Sequence, residues 1–136
     1  KAGSVTVNTT MCALELDDEG KIVSVSFDIA QNKIGFDAAG ALTTDLAAEH
    51  PTKKELKEGY GMKGASSIGK EWYEQAEALE AWCVGKTVAE VVGMPTYDKG
   101  DGHHTQVPDD VDLKSGCTID VGSFLKAIQA AANNAK

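Results

Sequence analysis

Residues 21 to 29 alternate more strictly than any other stretch: Val23, Val25, Phe27 and Ile29 share one parity, Ser24, Ser26 and Asp28 the other. A period of two describes a strand with one buried and one wet face. Immediately upstream, Asp17-Asp18-Glu19-Gly20 has turn composition, with Gly20 suited to a left-handed position. Residues 4 to 16 also look extended. Val5 and Val7 fall on one parity, whereas Cys12, Leu14 and Leu16 fall on the other. The switch near Asn8 to Thr10 predicts a bulge or bend. The chain therefore opens with a β-hairpin. Ile34 and Phe36 suggest a third short strand, which Asp37-Ala38-Ala39-Gly40 turns toward Ala41 to Thr44.

The period then changes. Residues 45 to 63 are charged and irregular, with helical tendency around Lys53 to Lys57. From Ser66, the apolar positions Ile68, Trp72, Ala76, Leu79 and Cys83 follow steps of three or four. This predicts a helix packed on Val23, Val25, Phe27 and Ile29, with Glu71, Glu74, Glu77 and Glu80 facing away. Gly85 suits the position just past its end. Thr87-Val88-Ala89-Glu90 reads as a capping box opening a short helix that Gly93 and Pro95 end. Residues 95 to 116 show no period and read as a long loop. Cys117 to Val121 reads as a returning strand, and Gly122-Ser123 opens a last helix carrying Phe124, Leu125, Ile128 and Ala131, with a fraying tail from Asn133 to Lys136. The expected fold is one α+β domain over residues 1–136: a mainly antiparallel sheet with helices packed on one face.

Charge narrows the function classes. The net charge is −8, from 13 basic and 21 acidic side chains, and no residue is arginine. Nucleic acid and anionic membrane surfaces both call for a basic patch, so neither is an expected partner of the domain itself. No apolar run reaches membrane-spanning length. No signal peptide is visible, but Lys1 is not an initiator Met, so the missing leader carries no information about the compartment. Cys12, Cys83 and Cys117 lack metal-type spacing and sit in apolar patterns, which suggests buried thiols; a Cys83–Cys117 bridge requires their two elements to pack together.

The chemistry, if any, concentrates between Tyr60 and Trp82. Gly59, Gly61, Gly64 and Gly69 crowd together there, beside both tryptophans, Trp72 and Trp82, and Tyr60 and Tyr73. A glycine-rich loop that opens a helix points free N–H groups at an anion. The candidate binding residues are Tyr60, Met62, Gly64, Ala65, Ser66, Ser67 and Trp72. Gly64 is expected to adopt a conformation poor for other residues, or to lie against a ligand or neighbouring backbone. The competing reading is a surface turn capped by Ser66 or Ser67 and followed by a core helix. His103 and His104, among Asp98, Asp101, Asp109 and Asp110, have the donors for zinc or copper, but adjacent loop histidines are more often solvated, and no metal site is expected. No Gly-x-Ser-x-Gly elbow, His-Glu-x-x-His or Walker loop is present, and no histidine is assignable to either serine. The pattern favours a binding module over an enzyme.

Asp17 to Val25, Lys53-Lys54-Glu55-Leu56 and Tyr60 to Gln75 together resemble secreted bacterial proteins related to the FMN-binding domain family, a likeness running roughly over residues 4 to 92. In that family a hairpin precedes a Ser-Gly-Ala-Thr-type loop leading into a helix, and the threonine can carry FMN as a phosphoester. Lys63-Gly64-Ala65-Ser66 falls where that motif would lie, which puts Ser66 at the threonine position; the motif's upstream aspartate is absent, and Tyr60-Gly61-Met62 stands there instead. The resemblance implies FMN as cofactor. Tyr60, Met62, Trp72 and Tyr73 are available to the ring. The N–H groups of Gly64 to Ser67, with Lys63 or Lys70, are available to the phosphate. It implies an extracytoplasmic flavin-binding or electron-transfer module whose partner is a small-molecule ligand or a redox protein. The alternative is a non-enzymatic small-ligand-binding or interaction domain of a secreted or lipid-anchored protein.

Overall fold

Asp17 builds the first turn. Its side chain accepts from the N–H groups of Glu19 and Lys21 at 2.9 and 2.8 Å, and Gly20 takes the left-handed φ of +77° that closes it. The computed structural model describes residues 1–136 and shows this turn joining β1 (Gly3–Leu16) to β2 (Ile22–Phe36). Pairing is antiparallel from Gly3↔Phe36 to Leu16↔Ile22. Ile34 and Phe36 thus belong to the end of β2 and form no third strand. After them, Asp37 repeats the Asp17 device, accepting from Ala39 and Ala41 with Gly40 at φ +88°. The returning chain pairs only at Leu42 with Phe36.

The ladder is unbroken across Asn8 to Thr10, and the one irregularity lies between Glu15 and Leu16. There Leu16 faces Ile22 and Glu15 faces Ser24, which leaves Val23 as the extra residue. The bulge resets the parity: Ile22 is buried and Val23 is 48% exposed. Val23 is therefore not part of the packed face, contrary to the alternation of residues 21 to 29. The parity switch in β1 has a different cause. Cross-strand partners share a face, so Cys12/Phe27 and Leu14/Val25 face the core while Val5/Ile34 and Val7/Asn32 face the other way. The distal ribbon leaves Val5 and Val7 about half exposed.

The remaining elements are α1 (Lys53–Leu56), which runs into a 3-10 turn over Lys57–Tyr60, then α2 (Trp72–Cys83), α3 (Val88–Val92), β3 (Thr96–Tyr97), β4 (Val107–Pro108) and α4 (Gly122–Asn134). Helix α2 lies on β2 and α4 on β1. Their shared core includes Phe27, Trp72, Ala76, Leu79, Cys83, Phe124 and Ile128, with the Phe27 and Phe124 rings 4.9 Å apart. The fold is α+β, with antiparallel strands and helices packed on the hairpin's inner face. No helix is long and apolar enough to cross a membrane.

Helix α2 starts at Trp72 rather than Ser66. The chain from Met62 to Lys70 folds into turns that include Gly69 at φ +63°. Glu71 then caps the helix in a box with Glu74, whose Oε2 accepts from the Glu71 N–H at 2.7 Å. Of the glutamate row, Glu77 is exposed as expected, but Glu71 and Glu80 leave the solvated face. Glu71 is 5% exposed. Glu80 accepts the Phe27 N–H at 2.6 Å and pairs with Lys54, so a helix side chain closes the outer edge of β2. The Thr87–Glu90 capping box forms as its sequence requires, and Gly85 turns α2 off at φ +81°.

Cys117 to Val121 is not a strand. Cys117, Ile119 and Val121 are buried on one parity, but the backbone bonds to side chains and loops instead of a ladder: Thr118 N–H to Gln75 Oε1, and Val121 N–H to the Gln106 carbonyl. Residues 95 to 116 contain the two-residue β3–β4 ladder. The three cysteines are free thiols, so Cys83 and Cys117 share a core without a bridge. Burial pushes the Cys83 thiol up to about 12 and those of Cys117 and Cys12 to about 11.

Candidate functional site

The loop after α1 is organised by an acid. Glu71 Oε2 and Oε1 accept the N–H groups of Met62 and Lys63 at 2.8 and 3.0 Å. The Ala65 and Ser66 N–H groups both turn to the Met62 carbonyl. A buried carboxylate thus holds the anion position that the glycine-rich loop offers at α2, and two of the four N–H groups expected to cradle a phosphate, those of Ala65 and Ser66, are engaged within the loop. Gly64 does not have the strained role expected of it. It lies outside the left-handed region, and nothing stands within 4 Å of where a Cβ would sit.

Neither serine caps α2. Ser66 Oγ accepts from the N–H groups of Ile68 and Lys70 at 3.3 and 3.4 Å and from Gln75 Nε2 at 3.1 Å. Gln75 is fully buried, and its Nε2 also reaches the Lys70 carbonyl while its Oε1 accepts from the N–H and hydroxyl of Thr118. One glutamine therefore ties the serine loop to the chain entering α4. Ser67 and Ala65 stand exposed at the rim.

Two adjoining depressions meet at Met62, His104 and Ile119. The first, about 270 Å³, has Ala65, Ser66 and Ser67 on one side and Lys99 and Thr118 on the other. The second, about 330 Å³, runs past Tyr60 and Trp72 to Lys53, Asn8, His103 and Ser123. Six of the seven expected residues thus border one concave region, and Gly64 does not line it. Trp72, 3% exposed, is a sealed wall rather than a stacking platform; its ring meets Tyr60 edge-on at 6.4 Å and Phe124 at 5.9 Å. Tyr73 points elsewhere: its hydroxyl donates to Glu58 at 2.9 Å, and that carboxylate pushes the phenol up to about 12.

The charges of the region come from distant sequence. Lys53 Nζ sits 4.9 Å from the Tyr60 ring centre and 5.4 Å from that of Trp72. Lys99 donates to the Thr118 carbonyl. Asp101 accepts the N–H groups of His103 and His104 and meets His104 Nδ1 at 2.6 Å, contacts that hold its carboxyl well below the usual range. No group of three His, Cys, Asp or Glu side chains is placed to hold a metal. Asp101 orients the His104 ring in the depression shared with the serines, yet no hydrogen bond joins that ring to Ser66 or Ser67, so no nucleophile–base pair is assembled. A larger groove of about 450 Å³ runs along α4 past Val92 and Leu125, with Lys126 as its one charged side chain and none of the expected residues.

Lys53, Lys99, Asn8 and Ile119 carry no sequence signal as site residues. Only the packing of β1, α1 and the segments around Lys99 and Ile119 brings them together. The one legible hint was the pair His103–His104, read as metal donors or solvated loop rather than as a lip of this depression.

No family model matches the chain, the FMN-binding domain family included, and no solved structure matches it. A chlorophenol reductase of Desulfitobacterium hafniense is 38% identical in an alignment 96 residues long that covers 62% of this chain and 29% of that protein. The match therefore spans less than a third of the relative.

Proposed function

We propose that the chain is a flavin-binding or electron-transfer module that acts outside the cytoplasm and holds FMN without a covalent bond. The observation that carries this reading is the double depression meeting at Met62, with an apolar wall and a cationic rim. Pockets for planar ligands are lined by apolar and aromatic side chains with a few polar groups that fix orientation. Met62, Ile119, Ile29 and Tyr60 supply the wall; Lys53 and Lys99 are the cations of the rim, beside His103, His104 and the Asp120 carboxylate. The reductase name of the D. hafniense relative supports a redox role.

The residues fit a ring lodged against Met62 and Ile119, not one stacked on the sealed Trp72. They do not favour a phosphoester at Ser66, whose oxygen already accepts three hydrogen bonds that hold the loop. FMN, when bound, supplies the electron-carrying chemistry; the chain's own part is to orient the ring and keep water from one face. The electron would pass to a small molecule or a redox partner protein. Titration of FMN with the protein tests the reading: flavin fluorescence should quench with a micromolar dissociation constant and no added covalent mass. No change up to high micromolar protein refutes it. Cell fractionation tests the extracytoplasmic placement.

A second reading, a non-enzymatic interaction domain of a secreted or lipid-anchored protein, draws on the distal ribbon. Residues 3 to 13 of β1 form a sheet edge without charge or proline, beside exposed Val5 and Val7. Natural edges normally carry such blocks to pairing. Under this reading, Val7→Lys abolishes capture of a partner while FMN has no effect.

A further inference from the structure

Lys53 lines the second depression, and its charge is unanswered. Lys53 is half-buried over two aromatic rings and makes no ion pair and no hydrogen bond within the chain. Its neighbour shows the ordinary outcome in a chain with 21 acidic side chains: Lys54 pairs with Glu80. The acids nearest the depression are already engaged. Asp120 accepts the N–H groups of Gln106 and Gly122 through its two oxygens, both at 2.9 Å. Asp101 is turned to its own loop and to His104. Glu71 holds Met62 and Lys63 from beneath. Lining the same depression are His103, Asn8 and Ser123, all able to donate a hydrogen bond to an oxyanion, and Asp120, whose two oxygens are taken by the N–H groups named above.

We infer that this depression holds an oxyanion subsite at Lys53, filled by a phosphomonoester whose attached planar group lies over Met62 and Ile119. The inference rests on the ligand reading above and moves the phosphate away from the Gly64–Ser67 loop, where the Ala65 and Ser66 N–H groups bond to the Met62 carbonyl and a buried carboxylate already sits at Met62 and Lys63. Lys53 is suited to the role because the aromatic faces hold its ammonium in place without neutralising it, so an incoming oxyanion meets a fixed, unpaired cation.

The test compares FMN with riboflavin, which has the same ring and no phosphate, on the whole chain at low salt. Wild type should bind FMN about 10- to 100-fold more tightly than riboflavin, the range a charge-assisted contact gives. Lys53→Met should remove most of that preference, and Lys53→Arg should restore it. Inorganic phosphate should compete with FMN and not with riboflavin. Equal affinities of wild type for the two flavins, or an undiminished preference in Lys53→Met at an unchanged melting temperature, overturns the subsite and leaves the flavin reading standing. If neither flavin binds, the flavin reading fails, and the subsite is judged by phosphate alone. Millimolar phosphate should then shift the amide resonances of residues 53, 103 and 123 in wild type and not in Lys53→Met. Absence of such shifts overturns it.

Discussion

Gln75→Met removes the one side chain that joins the serine loop to the segment before α4, while keeping its length and unbranched shape. Four hydrogen bonds disappear: two from Nε2 to Ser66 Oγ and the Lys70 carbonyl, and two into Oε1 from Thr118. The partners are not equally harmed. Ser66 Oγ keeps the N–H groups of Ile68 and Lys70, and the Lys70 carbonyl belongs to a half-exposed residue that water reaches. The Thr118 N–H is left between buried Cys117 and Ile119 with nothing in the chain to accept it. One stranded donor at roughly 1–3 kcal/mol, plus the weaker losses, gives about 2–4 kcal/mol. For a chain of this size, that lowers the melting temperature by roughly 10 °C. Urea unfolding followed by tryptophan fluorescence measures it, and the midpoint should fall at an unchanged m-value. Amide exchange at Thr118 should also quicken, because the tie that orders it is gone. A loss under about 0.5 kcal/mol with unaltered exchange refutes the assignment of Gln75 as the joint between the two segments.

Glu80→Ala should cost about 1–3 kcal/mol in thermal unfolding, because the Phe27 N–H loses its acceptor and Lys54 its partner; equality with the exposed control Glu77→Ala contradicts this. Native Cys12, Cys83 and Cys117 should resist iodoacetamide at pH 8 while the urea-unfolded chain labels at all three, since thiols raised to about 11, 12 and 11 become thiolate only as pH climbs toward those values. Rapid native labelling counted by intact mass would contradict their burial. Asp101 has a depressed folded-state pKa, held down first by the His103 N–H, then by the N–H and ring of His104. Its contribution to stability is therefore complete above the ordinary carboxylate pKa near ~4 and is lost as pH falls below it toward the folded value. Carbon-detected NMR titration of the Asp101 carboxyl should give a midpoint under that of a model aspartate, and a midpoint at or above it refutes the loop geometry.

Local chemistry fixed whatever depends on a few neighbouring residues. The Asp17–Gly20 turn, the Thr87–Glu90 box and the Gly85 stop each need only atoms within four or five residues, so their sequence was sufficient. The periods at Val25, Phe27 and Ile29, and at Trp72, Ala76, Leu79 and Cys83, named the faces that pack, because burial repeats with the backbone geometry. What failed was decided by partners far along the chain. Val23 turns outward because a bulge opposite Glu15 and Leu16 shifts its strand. Cys117 to Val121 alternates like a strand, but its Thr118 N–H goes to a glutamine side chain. Glu71 and Glu80 read as solvated helix charges, yet N–H groups of Met62, Lys63 and Phe27 draw them inward. The depression is the extreme case: residues as separate as Asn8, Lys53, Tyr60, Met62, His104 and Ile119 border it. A period reports which way a residue faces along its own element. Only the packing of elements, driven by shared apolar burial, determines what it faces.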